Sequence, residues 1–133
     1  MKLTLASRYA LHALVHMASQ KKNDPIASQV IAQARGIDPR FLLKVLKPLV
    51  SAQILISAKG PNGGYRLARP PGEVTMLEVI EAVDGPIRGN APPGKEEKDS
   101  ALRQKLDDIC NQTADLIRKH LGKVKISDLA AKE

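Results

Sequence analysis

The chain has 133 residues, with 21 Lys and Arg against 14 Asp and Glu, which gives a formal net charge of +7 at pH 7. That length suits one domain with an appended element. A single cysteine excludes an intrachain disulfide, and no apolar run approaches the ~20 residues of a membrane span, so we expect a protein of the reducing cytoplasm.

The positive charge is concentrated in the N-terminal half of the chain. Residues 1–70 carry eleven Lys and Arg and two acids, whereas residues 71–133 carry ten Lys and Arg and twelve acids. A basic half beside a near-neutral half indicates two different tasks, and a polyanion is the partner that the basic half favours.

Two helices are predicted before the first glycine. The hydrophobic spacing predicts a helix over 5–19, capped by Thr4 or Ser7, and a shorter helix over 28–35 after a polar turn at 21–25. The side chains expected to face inward are Leu5, Leu11, Leu14, Val15 and Ala18 in the first helix and Val30, Ile31 and Ala34 in the second.

A third helix is predicted after a tight turn at Gly36. Asp38 can cap its free N–H groups, and Pro39 fits its first position. We expect it to run to about residue 52 and to kink at Pro48, which lacks the N–H that a helix needs. Leu43 stands where a polar base-reading residue is expected, so it either contacts a thymine methyl or only packs. The apolar positions are Leu42, Leu43, Val45, Leu46, Leu49 and Val50, and the other side carries Arg40, Phe41, Lys44 and Lys47.

A basic hairpin with a glycine-rich tip is predicted next. Residues 54–58 and 65–68 have the composition of two strands, and the tip at 59–64 contains three glycines, which permit positive φ angles and a close approach to a phosphate. Helix, turn, helix and hairpin together predict a winged helix-turn-helix. In that arrangement the third helix enters the major groove of DNA and the hairpin follows the backbone.

The C-terminal part predicts two more helices. Thr75 and Glu78 have the spacing of a capping box, which starts a helix that runs to about Val83. A long helix should follow over 100–121 and end at Gly122. Its apolar stripe is too long to be covered by its own domain, which predicts a homodimer joined through Leu102, Leu106, Ile109, Thr113, Leu116 and Leu121.

The predicted fold class is mainly α with a small β-hairpin wing. We expect a winged helix-turn-helix DNA-binding domain over 1–84, a flexible loop over 85–99, and a dimerisation helix with a C-terminal tail over 100–133. A two-fold dimer suits a palindromic operator with half-sites about one turn of double-stranded DNA apart.

Five segments carry a family resemblance that extends over nearly the whole chain. They are Met1-Lys2-Leu3-Thr4 leading into Arg8-Tyr9-Ala10, Gly36-Ile37, Lys59-Gly60-Pro61-Asn62-Gly63-Gly64-Tyr65-Arg66-Leu67, Leu77-Glu78-Val79-Ile80-Glu81-Ala82-Val83-Asp84-Gly85, and Ile126-Ser127-Asp128-Leu129. These segments resemble the Rrf-two family of bacterial winged-helix regulators, the family of IscR, NsrR and CymR.

The resemblance implies a dimeric transcription regulator, usually a repressor, that is joined through the long C-terminal helix. The DNA contacts that we assign on this basis fall in three groups. They are phosphate contacts from Thr4 and Tyr9, groove-reading positions at Arg40, Phe41 and Lys44, and wing contacts at Lys59, Gly60, Asn62 and Gly64.

The chain departs from the cluster-bearing members of that family. Those members hold an iron–sulfur cluster with three cysteines in the loop that follows the fourth helix, whereas residues 88–94 of this chain contain none. The single thiol, Cys110, cannot hold a cluster unaided, so we expect a member with no cofactor. Cys110 is a candidate redox thiol, with a buried structural cysteine as the default interpretation.

Other chemistry is weakly indicated. His12 and His16 have the spacing of two metal ligands on one helix, but no acid or cysteine accompanies them, so ordinary histidines are preferred and no metal site is predicted. The chain has no phosphate loop, catalytic triad or paired carboxylates, so we predict no enzyme activity.

The predicted function is therefore a sequence-specific DNA-binding regulator, most simply a repressor, with a protein or small-molecule effector. The alternative is an interaction module that regulates by docking on a metabolic enzyme or another partner. Salt-sensitive binding to duplex DNA favours the first function. Capture of one stoichiometric partner without such binding favours the second.

Overall fold

The computed structural model describes residues 1–89 and 100–131. The helices in this part are α1 (Leu5–Ala18), α2 (Ser28–Arg35), α3 (Pro39–Ser51), α4 (Met76–Asp84), α5 (Ala101–Leu121) and α6 (Ile126–Ala130). Strands β1 (Leu55–Ala58) and β2 (Gly64–Leu67) form an antiparallel hairpin after α3. The mainly α fold with a hairpin wing is confirmed, and residues 90–99 of the predicted loop lie outside the described residues.

The helix boundaries follow from the caps that the sequence indicates. The Thr4 hydroxyl accepts a hydrogen bond from the Ser7 N–H, and the Asp38 carboxylate accepts one from the Phe41 N–H, each at 3.0 Å. Gly36 ends α2 with a φ of +67°, in the left-handed region that favours glycine. These local bonds satisfy helix-end groups that would otherwise have no partner.

One hydrophobic core joins the first four helices, the hairpin and α6. Three side chains expected to face inward, Leu5, Val30 and Leu43, are instead exposed, and so is Ala34. In α1 the buried stripe begins at Ser7 and continues at Ala10, so Leu5 lies outside that stripe. The buried residues of α1 are Ser7, Ala10, Ala13, Leu14, Val15 and Met17.

Helix α6 was not predicted from the hydrophobic pattern, because five residues are too few to show a helical period. Its Ile126 is completely buried in the main core. Two backbone bonds hold the start of α6 near the start of α4: the Ile126 N–H donates to the Val74 carbonyl at 2.9 Å, and the Met76 N–H donates to the Val124 carbonyl at 2.8 Å. The C-terminal tail therefore completes the core of the N-terminal domain.

Helix α3 continues through Pro48 and ends three residues later. The proline ring is half-buried, and its carbonyl accepts the hydrogen bond of the Ala52 N–H at 3.0 Å. The missing proline N–H thus costs one bond to the previous turn without ending the helix. The kink at this position stays a prediction.

Glu78 gives the fold a testable pH dependence. Burial raises the pKa of Glu78. A hydrogen bond and the positive charge of Arg69, together with hydrogen bonds from Thr75, lower it by more, so the pKa of Glu78 lies below the ordinary value of 4.5. A carboxylate whose pKa is lowered by folding stabilises the fold above the unfolded pKa, and that stabilisation is lost as the pH falls through the folded pKa.

We therefore expect Glu78→Gln to lower the free energy of unfolding at pH 7 and to weaken its decrease below about pH 4.5. Urea unfolding between pH 3 and pH 7 measures both effects, and Glu73→Gln is the matched control because Glu73 is exposed. Equal acid dependence in the wild type and Glu78→Gln would contradict the assignment.

No helix within residues 1–89 and 100–131 combines the length and the apolar character that crossing a bilayer requires.

Candidate nucleic-acid interface

Helix α3 presents one polar face to solvent. It buries Leu42, Val45, Leu46 and Leu49 against the core. The opposite face carries four exposed side chains at the spacing that places residues next to one another on a helix, and these form the α3 stripe: Arg40, Leu43, Lys44 and Lys47.

The cations of the α3 stripe are not neutralised by any acid that the structure describes. In residues 1–89 and 100–131, no salt bridge involves Arg40, Lys44 or Lys47, nor Lys59 on the neighbouring hairpin. Four exposed positive charges without internal partners attract a polyanion, and the phosphates of DNA are spaced to accept several of them at once.

Leu43 lies on the solvent side of α3. It is 46% exposed, because Leu42 and Leu46 already occupy the core-facing side of this part of α3. An apolar side chain thus lies between Arg40 and Lys44 on the surface. The sequence left two interpretations of Leu43, contact with a thymine methyl or packing, and packing in the core is wrong.

Tyr9 and Phe41 join α1 to the start of α3. Their rings make an edge-to-face contact with centroids 5.4 Å apart and planes at 84°. Both side chains are half-buried against the core. The contact is of a type that stabilises by about 0.5–1.5 kcal/mol beyond burial, so it fixes the angle at which α3 is presented. The predicted DNA contacts of both residues stay predictions.

The hairpin brings the predicted wing residues together at its tip. Lys59, Gly60 and Asn62 are exposed there, and the turn closes through a bond from the Gly63 N–H to the Gly60 carbonyl at 2.9 Å. Gly64 follows with a φ of +151°. A β-carbon at Gly64 would lie 2.4 Å from the backbone carbonyl of Ile26, so no larger residue fits without displacing the backbone.

Two contacts that sequence reasoning missed fasten the wing to the connection between α1 and α2. Ile26 and Tyr65 exchange two backbone bonds of 2.9 and 2.8 Å, which form an isolated antiparallel bridge. The Asn23 side chain donates to the Leu67 carbonyl at 2.8 Å and accepts from the Leu67 N–H at 3.1 Å. The sequence shows only a polar turn there, with no indication of these long-range partners.

A carboxylate occupies the start of α1. The hydroxyls of Thr4 and Ser7 donate to Asp84 at 2.8 and 2.7 Å, and Ser7 is completely buried. Asp84 therefore ties the N-terminus of α1 to the C-terminus of α4. A DNA phosphate at Thr4 would compete with this carboxylate for the threonine hydroxyl.

Helix α5 leaves most of its surface uncovered. Of its twenty-one residues only Ala114 and Leu121 are buried within the chain. Leu121, predicted at the dimer interface, is only 7% exposed, so it is buried within its own chain at the C-terminal end of α5. The other five predicted interface residues are exposed and form the α5 stripe: Leu102, Leu106, Ile109, Thr113 and Leu116.

The candidate thiol lies on α5, whereas His12 and His16 lie on α1. Cys110 is half-buried on α5, where the backbone of Gly89 packs so closely that a β-carbon would meet the Cys110 carbonyl. His16 accepts a bond from the Arg35 side chain at 3.4 Å. Within residues 1–89 and 100–131, no three His, Cys, Asp or Glu are grouped to hold an ion.

The family resemblance implies an iron–sulfur cluster in some members, and the donor set of this chain does not fit it. Such clusters are held chiefly by several cysteine thiolates, and the whole sequence supplies one.

Comparison with known proteins shows one family. The sequence profile of the Rrf2 (Rrf-two) family, described as "Iron-dependent Transcriptional regulator", matches residues 3–132. The chain is 30% identical over 129 residues to the HTH-type transcriptional regulator IscR of Aliivibrio salmonicida, across 97% of this chain and 77% of that protein. It is 33% identical over 87 residues to an HTH-type regulator of Mycobacterium tuberculosis, across 65% of this chain and 54% of that protein, so the match spans about half of that relative.

The fold is also that of a solved regulator. The structure of CymR (YrzC), the global cysteine regulator of B. subtilis, is similar with a TM-score of 0.81 and 23% identity, over 100% of this chain and 98% of that one. At that identity the similarity describes the fold alone.

Proposed function

Because the chain belongs to the Rrf2 family of transcriptional regulators, we propose that it acts in the cytoplasm as a dimeric, sequence-specific DNA-binding regulator, most simply a repressor. The observation that carries this proposal is the α3 stripe, whose three cations form no salt bridge with any residue that the structure describes and stand beside a basic wing. Selection of bound fragments from genomic DNA, followed by titration against salt, tests it.

Each part of the interface has its own task in this proposal. Arg40 and Lys44 lie in the major groove and contact base edges, where a good pair discriminates by about 1–3 kcal/mol. Lys59 at the wing tip contacts phosphate, which supplies affinity for any sequence. The buried side of α3 and the Tyr9–Phe41 contact hold the reading face in place.

The division of tasks between α3 and the wing predicts different results for two substitutions. Arg40→Ala should change sequence preference, with a loss of about 1–3 kcal/mol that is confined to the selected operator. Lys59→Ala should weaken binding to all duplexes alike and reduce the slope of log K against log salt by about 1. Titrations of the operator and a scrambled duplex at several salt concentrations separate the two, and equal losses on both duplexes for Arg40→Ala would contradict the division.

Leu43 supplies a second test of base contact. An exposed Leu between two groove-reading cations is suited to contact the methyl group of a thymine. Replacing the contacted thymine by uracil removes that methyl, so the wild type should bind several-fold more weakly, by about 1 kcal/mol. Leu43→Ala should bind both duplexes equally. A thymine-to-uracil scan of the operator provides the measurement, and an unchanged penalty in the variant would refute the contact.

The proposed dimer is supported by the α5 stripe. Its spacing alternates between four and three residues, as in the seam of a coiled coil, and Ile109 and Leu116 are 58% and 68% exposed. Helix α5 is about 32 Å long, so two copies can bury a continuous apolar seam and set two reading faces on neighbouring half-sites.

Regulation in this proposal does not use an iron–sulfur cluster, since the chain has one cysteine. A protein or a small molecule takes the place of the cluster as effector.

A further inference from the structure

A concave surface lies at the base of the wing. This wing-base cavity has a volume of about 350 Å³ and lies between the end of α1, the connection from α1 to α2, and the segment after β2. Small-molecule sites commonly span ~300–1,000 Å³. Its lining includes Arg66 and Leu67 of β2 but no residue of α3 and none of the wing tip, so an occupant would leave the α3 stripe and the tip uncovered.

The lining combines an accessible apolar part with a cationic rim. The apolar part comes from the side chains of Ala18, Ala68, Pro70 and Pro71. The three rim cations are exposed Lys21 and Lys22 and half-buried Arg66. An organic anion matches both parts, because its apolar body covers the apolar side chains while the rim holds its charged group.

The three rim cations are not neutralised by acids of the lining. The lining contains no Asp or Glu, and in residues 1–89 and 100–131 none of these cations forms a salt bridge. A fourth cation, Arg69, differs because its guanidinium donates to the Glu78 carboxylate at 2.8 Å. The rim therefore keeps an uncompensated positive charge beside an apolar surface.

The cavity is joined directly to the wing. Asn23 lines it and holds both backbone groups of Leu67, the last residue of β2. An occupant held by Lys22 and Arg66 would bridge the α1–α2 connection and the wing across this same junction. Binding there must consequently favour one position of the wing over others.

We propose that the wing-base cavity binds a small organic anion, a carboxylate or phosphate carried on a compact apolar body. We further propose that this occupant is an effector of DNA binding, a step that rests on the function proposed above. Direct binding to the free protein and its effect on DNA affinity are measured separately.

The site is tested by NMR titration of the ¹⁵N-labelled protein without DNA, using phenyl phosphate, benzoate and inorganic phosphate as probes. We expect saturable shifts centred on amides of residues 17–23 and 66–69 for the two aromatic probes. The apolar contact should make phenyl phosphate bind about tenfold more tightly than inorganic phosphate. The double variant Lys21→Gln with Lys22→Gln should bind phenyl phosphate about tenfold or more weakly than the wild type. Lys123→Gln, which changes an exposed lysine elsewhere, should bind it as the wild type does.

Three results would overturn the site. They are the absence of saturation by either aromatic probe up to about 10 mM, shifts centred on the α3 stripe or the α5 stripe, and equal affinity for phenyl phosphate and inorganic phosphate, which would indicate diffuse ion binding.

The effector role has its own measurement. Saturating phenyl phosphate should change the affinity for the selected duplex by about fivefold or more, and the change should vanish in the double lysine variant. An unchanged affinity with a filled cavity would refute the effector role. Failure to bind any duplex while the cavity still binds phenyl phosphate would instead refute the proposed DNA-binding function.

Discussion

Ile109→Glu should convert the protein to a monomer and lower its affinity for a palindromic operator by about 10²- to 10⁴-fold. Ile109 lies at the middle of the exposed α5 stripe, so in a two-fold dimer the substitution would place two carboxylates in an apolar seam. The loss is large because two linked reading heads bind as one unit, whereas a monomer engages one half-site at a time. Molecular mass from light scattering and titration of operator DNA measure the two effects.

Two comparisons make this result specific. Gln104→Glu adds the same charge to α5 but lies two residues from Leu102, on another side of the helix, so it should leave both mass and affinity unchanged. A duplex with one half-site should bind the wild-type protomer and Ile109→Glu about equally. A wild-type monomer, or a variant that remains dimeric, would show that α5 is not the interface.

Gly64→Ala should strongly destabilise the wing. The alanine β-carbon would lie 2.4 Å from the Ile26 carbonyl, and the φ of +151° disfavours any L side chain. The paired backbone bonds between Ile26 and Tyr65 would have to break to make room. Strain and overpacking together should lower the free energy of unfolding by about 2–5 kcal/mol and displace the wing from the DNA backbone.

Two other glycines separate the causes of that loss. Gly60→Ala shares the positive φ but has open space around it, so only strain of about 1 kcal/mol is expected. Gly72→Ala has no positive φ and meets only Ser127 at 3.7 Å, so it should change stability by less than about 0.5 kcal/mol. Urea unfolding ranks the three variants by stability, and the salt slope of DNA binding reports whether the wing still contacts phosphate. A Gly64→Ala variant as stable as Gly72→Ala would contradict the close packing.

The parts of the fold that the sequence predicted correctly rest on local bonds. The start of α3 depends on Asp38 and the Phe41 N–H, and the start of α4 on Thr75 and Glu78, each a pair three residues apart. Such pairs form whenever the chain enters a helix, so their residue types are a direct signal. The same reasoning located the glycine-rich tip and the long α5.

The differences between the predictions and the structure concern which neighbour an apolar residue contacts. Leu43, for which packing was one of two interpretations, is exposed, whereas Leu121, assigned to a dimer interface, is buried in its own chain. Both lie on amphipathic helices, where the period fixes a face to within about one residue position but not the partner that covers it. The partner is set by how the other helices approach.

The sequence by itself therefore determined the order of elements as far as α5, the winged helix-turn-helix, the basic face of α3 and the absence of a cysteine set for a cluster, because each depends on residue type and short spacing. Only the tertiary structure decided how the wing is held and what surrounds it. The Asn23–Leu67 bonds join residues 44 apart, and the Ser7–Asp84 bond joins residues 77 apart. No periodicity encodes such pairs, since they form only when the packed core brings the two segments within hydrogen-bond distance.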